Sequence, residues 1–252
     1  MAVRSDGIQT EKRILQACVR LFLEKGYRRT TMAQILKEAQ VSSGSFQNLF
    51  HSKDGVLLEL VKFMFENQFG IARKVAGAAL PPVYIYAAET TLQITLTELN
   101  ANLREIYLEA YTHQPLLDYI QRATSKELHR IFGPYQPELK EQDFYELELG
   151  SAGLMRGYMA NPCTAEFPLE RKLNKFVTLA LRGYKVPEEE LQQVLRFLAG
   201  LDMRGIAQKV MEELFRQLAM RYEFSPDGLL PLENKDENVH SAESCAGESE
   251  EK

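Results

Sequence analysis

Apolar residues recur at steps of three and four along almost the whole of this chain. No alternating stretch ends in a hairpin turn. That spacing is the mark of helices with one buried face, and it predicts an all-α fold. Ile14, Leu15, Cys18, Leu21 and Phe22 form the first such stripe, over residues 11–24. Gly26 suits the left-handed position after a helix end, and Tyr27 beyond it can fold back on Phe22. Thr31 and Gln34 have the spacing of a capping box, in which each side chain answers an unpaired amide of the first turn. Met32, Ile35, Leu36 and Ala39 make the buried stripe of a second, short helix. Ser52 is a good N-cap for a long helix carrying Val56, Leu57, Leu60, Val61, Met64 and Phe65. Further helices are expected near 83–99, 101–112, 115–132, 142–160, 168–183, 188–199 and 202–222. The breakers Pro81–Pro82, Gly133–Pro134, Asn161–Pro162, Pro168 and Pro187 separate them.

Between the second helix and the long one lies "VSSGSFQNLF", Val41 to Phe50, too short and too polar for a core helix. Ser42 can cap a helix starting at Ser43. Ala39 is small enough for a close crossing, and Val41 can plug the joint. Phe46 and Phe50, four apart, then point inward. Ser43, Gly44, Ser45, Gln47 and Asn48 point outward. Short hydroxyl and amide side chains can approach base edges, and Gln or Asn can bond adenine through N6 and N7. A rigid apolar inner face behind a short polar outer face is what a recognition helix requires.

Charge is split along the chain. Residues 1–75 carry 12 Lys/Arg against 7 Asp/Glu, and residues 76–252 carry 18 against 28. A basic head on an acidic body suits a head that meets a polyanion. Residues 225–252, with 8 acidic and 2 basic residues, read as a disordered acidic tail. Cys18, Cys163 and Cys245 are far apart and odd in number, which argues for a reducing compartment. No run of about 18 apolar residues and no apolar signal segment is present, so the expectation is a cytoplasmic protein that does not enter the membrane.

The segment "ILQACVRLFLEKGYRRTTMAQILKEAQVSSGSFQNLFHSKDGVLLELV", Ile14 to Val61, resembles the N-terminal domain of the tetracycline-repressor (TetR/AcrR) family. The likeness lies in an "LFxEKGY" helix end, a "TTMxxIxxxAxVSxGS" turn and an "FxSKxxLL"-like entry to the fourth helix. Gln47 and Leu49 depart from the family pattern, which usually has a tyrosine at the first position and a histidine or aromatic residue at the second. The docking mode carries over, but the base and phosphate contacts at these two positions do not carry over unchanged.

The resemblance implies a three-helix DNA-binding head at 1–52. A long fourth helix links it to an effector-binding and dimerisation domain at 53–224, and the tail follows. Lys53, at a helix N-terminus, becomes a phosphate candidate. Arg28 and Arg29 become candidates for steering DNA. Thr31 joins Ser42, Ser43, Gly44, Ser45, Gln47 and Asn48 in the expected DNA-binding set. Regulators of this kind bind a small apolar or amphipathic effector among the middle helices. There Phe63, Tyr107 and Tyr111 offer apolar area and hydroxyls. Gly150, Ala152, Gly153 and Gly157 suit close helix pairing about a two-fold axis. The helices at 188–222 can extend that interface or lid the pocket. The partners expected are a pseudo-palindromic double-stranded operator, a small-molecule effector and a second copy of the chain, with recognition helices about 34–36 Å apart.

Catalysis finds no foothold. His51, His113, His129 and His240 lack metal-ligand spacing, and no HExxH, P-loop, GxGxxG or GxSxG is present. No cofactor or metal is expected. The alternative reading is a helical ligand-binding or scaffold protein whose head no longer reads DNA.

Overall fold

A computed structural model of the chain describes residues 2–76 and 80–222. The acidic tail at 225–252 lies outside them. So do Cys245, His240 and the side chain of Phe65. Among the described residues every regular element is helical. The head holds α1 (Ala2–Lys25), α2 (Met32–Ala39) and α3 (Ser43–Phe50), and α4 (Lys53–Ala76) leads out of it. The body adds α5 (Pro82–Leu99), α6 (Ala101–Ala110), α7 (Gln114–Phe132), α8 (Glu141–Ala160), α9 (Leu169–Gly183), α10 (Glu188–Ala199) and α11 (Met203–Tyr222).

The expected boundaries agree with these to within two residues, except at the N-terminus. There α1 begins at Ala2, well before the periodic stretch. Between Asp6 and Thr10 no side chain is buried, and Ile8 is exposed, so no apolar stripe marks that stretch.

Helix α5 is the axle of the body. It packs against α4, α6, α7, α8, α9, α10 and α11, and is buried on nearly every side. A helix buried all round must satisfy its own polar side chains. Thr91, Thr95 and Thr97 do so by donating to carbonyls of the preceding turn, at 2.6, 2.7 and 2.7 Å.

Near the end of α5, Glu98 accepts from Lys172 of α9 at 2.7 Å and from Arg104 of α6 at 3.1 Å. The Lys172 ammonium, fully buried, also donates to the Asn161 carbonyl, and the Cys163 amide donates to Glu98. Burial works against ionised Glu98, yet these donors hold its carboxyl below the usual range. The cluster ties three helices and the α8–α9 loop together. Removing one partner would strand a buried charge.

The last helix settles part of an open question. Met211, Leu214, Phe215 and Leu218 of α11 fill the seam between α1, α4 and α6. Helix α11 therefore braces head against body, and neither it nor α10 lids the body cavity described below.

Candidate nucleic-acid interface and effector cavity

The head is built by local rules. Gly26 has φ 89° and its amide bonds the Phe22 carbonyl at 3.0 Å, ending α1. Tyr27 packs on Phe22 edge to face with centroids 5.0 Å apart. Thr31 and Gln34 form the capping box of α2. Ser42 caps α3 by accepting from the Ser45 amide at 3.1 Å. Ser52 accepts from Gly55 at 3.2 Å at the start of α4. The turn between α2 and α3 passes through Gln40 in the left-handed region, φ 53°.

Phe46 and Phe50 are buried, with centroids 5.9 Å apart, and they seat α3 on α1 and α4. Ser42, Ser43, Gly44, Gln47, Asn48 and Leu49 are exposed on the other side. Ser45 is half-buried, and its hydroxyl lies 2.9 Å from that of Ser42, so it serves the cap before anything outside. Thr31 likewise spends its hydroxyl on the capping box.

One residue that the sequence reading missed sets the joint. A β-carbon on Gly55 would fall on the Phe50 carbonyl oxygen, so the start of α4 can approach the end of α3 only with glycine there.

The three basic candidates each have a partner within the protein. The Lys53 ammonium donates to the carbonyls of Tyr27 at 2.8 Å and Thr30 at 3.0 Å, and lies 4.1 Å from the centre of the Tyr27 ring. It clasps the α1–α2 turn, whose carbonyls converge on it. Arg28 donates to Glu109 at 2.6 Å, and Arg29 to Asn102 at 3.2 Å. Both arginines therefore engage α6 while remaining exposed at the surface. Asp54 of α4 accepts from the Tyr27 hydroxyl and lies 3.4 Å from His113 at the start of α7. These contacts make a latch between head and body.

The body encloses a cavity of about 320 Å³ between α5, α6, α7 and α8, with Phe176 of α9 on its wall. Tyr111 lines it and donates to Gln93 of α5 at 3.2 Å. Tyr107 and Phe63 do not line it. Tyr107 is buried on α6 away from the cavity, and Phe63 is core in the α11 seam, because their helices turn those faces elsewhere. Tyr86 lines the cavity too, and so do Glu89 and Glu148, two carboxyls missed from sequence. Glu148 had a signal: it lies on the stripe of Phe144, Ala152, Met155 and Met159, where only a buried side chain can be. Burial pushes its carboxyl up to about 7, against a lowering hydrogen bond from Ser151. Burial likewise raises the Tyr86, Tyr111 and Tyr184 hydroxyls, so they stay neutral donors.

On α8, Gly150, Gly153 and Gly157 face open space, and Leu149 is 48% exposed. Leu179 on α9 is 52% exposed. Ala152, expected on the same small-residue face, instead turns inward to the cavity. No helix among the described residues is long and apolar enough to cross a membrane, and none of their His, Cys, Asp and Glu side chains cluster as a metal site.

Residues 14–60 match the family model for bacterial regulatory proteins of the tetR family. The uncharacterised HTH-type transcriptional regulator YuxN of Bacillus subtilis (strain 168) is 26% identical over 196 residues, covering 74% of this chain and 60% of YuxN. The chain thus spans less than two thirds of that relative. The HTH-type transcriptional regulator BetI of Escherichia coli O139:H28 is 27% identical over 184 residues, covering 68% of this chain and 92% of BetI. Among solved structures, a gamma-butyrolactone receptor (ArpA-like protein) aligns at a TM-score of 0.47 with 15% identity, over 82% of this chain and 99% of that one. The head, residues 14–60, thus carries the match to the tetR family of bacterial regulatory proteins, and the curated proteins to which the longer chain is similar are HTH-type transcriptional regulators.

Proposed function

We propose that this chain is a homodimeric repressor that reads a pseudo-palindromic operator through α3 and lets go when a small molecule fills the α5–α8 cavity. On this reading residues 1–52 meet DNA, and the protein works in the cytoplasm. Residues 53–224 sense the ligand and pair two copies. Gln47 and Asn48 read base edges, while Ser43 and Gly44 allow close approach. The open glycine face of α8, with Leu149 and Leu179 beside it, supports pairing there. A stable pair would bury roughly 2,000 Å² or more in total.

The observation that carries ligand response is the double duty of α6. Tyr111, at its C-terminal end, forms part of the cavity wall. Asn102, Glu105 and Glu109, along the same ten-residue helix, hold the Gly26–Arg29 turn of the head. A ligand that prefers one setting of α6 therefore prefers one setting of the head, and the equilibrium shifts by that difference in affinity.

The test is selection of an operator from random double-stranded DNA by the full-length protein. The reading requires one enriched sequence with two related half-sites. Recovery of unselected sequence would contradict it.

A further inference from the structure

The cavity is acidic, with no basic side chain among the described residues of its wall. Glu89, Glu127 and Glu148 line it, and among the described residues no lysine, arginine or histidine does. The three carboxyls are not equivalent. Glu127 is answered by Arg130 at 2.5 Å, and Glu89 lies in the field of the same guanidinium. Glu148 is as buried as Glu89, and its hydrogen-bond partner is the neutral hydroxyl of Ser151. Tyr184 supports that hydroxyl at 2.9 Å. A buried carboxyl with no cation beside it is costly in its ionised form. An anionic ligand would add a further negative charge to this wall. A neutral one would leave Glu148 uncompensated.

We infer that the cavity takes a lipophilic organic monocation, a protonated or quaternary amine on an apolar body, with Glu148 as its counter-ion. This rests on the reading of the cavity as the effector site. The rings of Tyr86, Tyr111, Tyr119 and Phe176 stand in the same wall, and aromatic faces attract a desolvated cation. Leu128, Ile131 and Met155 supply apolar surface for the rest of the molecule. The volume is at the small end for ligand pockets, which suits a compact ligand. One unanswered carboxyl favours one positive charge.

The titratable groups facing Glu148 are few. They are Tyr86 and Glu89 from α5, Tyr111 from the end of α6, Tyr119 and Glu127 from α7, and Tyr184 after α9. The buried tyrosines Tyr86, Tyr111 and Tyr184 are pushed upward and remain neutral. A cation arriving beside Glu148 displaces its proton. With the carboxyl near about 7, cation affinity should rise by about tenfold between about pH 6 and about pH 8.

The experiment is calorimetric titration of the full-length protein with three probes of matched shape: phenylbutyltrimethylammonium, its uncharged tert-butyl isostere and phenylvalerate. The cation should bind at least about tenfold tighter than either of the others, a difference of about 1.4 kcal/mol. Glu148→Gln should remove most of that preference and its pH dependence, while affinity for the uncharged probe stays within about twofold. Ala123→Trp, at an exposed lining position, should block whichever probe binds, with an unchanged melting temperature showing that the fold is intact. Equal or tighter binding of the uncharged or anionic probe, blocked by Ala123→Trp, would overturn the cation inference and leave the cavity reading standing. Binding of none of the three, or binding indifferent to Ala123→Trp, would overturn both.

Discussion

Glu105 of α6 accepts the backbone amide of Arg28 at 2.8 Å, across the boundary between body and head. The same carboxylate occupies the space that a β-carbon on Gly26 would need. Gly26 is thus required twice, once by its φ of 89° and once by the approach of α6. Gly26→Ala should cost about 1–3 kcal/mol of stability from backbone strain and displaced contact. It should also weaken the response of operator binding to ligand. Thermal melts and operator titrations with and without ligand check the two effects separately.

Gly55 is a second such point, at the joint of α3 and α4. Gly55→Ala would force the helices apart against the Phe50 carbonyl, and the expected loss is about 2 kcal/mol or more. Because the strain falls on the seat of α3, operator affinity should drop even where the protein remains folded. Circular dichroism with operator titration at low temperature tests this.

Arg28 and Lys53 should behave differently from free phosphate-binding residues. Arg28 spends its guanidinium on Glu109, so Arg28→Ala should leave the salt slope of DNA binding unchanged while weakening ligand response. Lys53→Met removes two carbonyl contacts and should cost about 1–3 kcal/mol of stability. A fall in the salt slope by about one would show that its remaining donor also holds a phosphate.

Glu148 should make stability fall as pH rises. Its ordinary value is 4.5, and burial raises the folded-state value to about 7. The unfolded chain loses this proton first. The favourable contribution is therefore full below about 4.5, erodes above it, and is gone above about 7. Its size is on the order of 3 kcal/mol. Glu148→Gln should flatten the pH profile of denaturant midpoints across that window. An unchanged profile would show that Glu148 is not the group responsible.

The head was readable in the sequence because its rules are local. Caps at Thr31, Ser42 and Ser52, the glycine stop at Gly26 and the Phe46–Phe50 pair each act within a few residues. The partners of its charges were not readable. Arg28 and Arg29 read as free cations until α6, more than seventy residues on, brings Asn102, Glu105 and Glu109 against them. The cavity was half legible. Tyr111 lies at the end of an inward face, but the rotation that sends Tyr107 and Phe63 into core contacts depends on how α6 and α4 pack. Lys172 and Glu148 carry a signal that charge conceals, since each lies on the apolar stripe of its own helix.

The most direct test of the account is the effect of Gln47→Ala on two DNAs, the selected operator and a random duplex, each titrated across salt. Gln47 stands exposed on α3 and carries no charge. The account predicts a loss of about 1–3 kcal/mol on the operator, with preference relaxed at one base pair, and almost no change on the random duplex. Equal losses on both would mean that Gln47 positions the protein and does not read sequence. No loss on either would contradict the claim that this face of α3 recognises DNA.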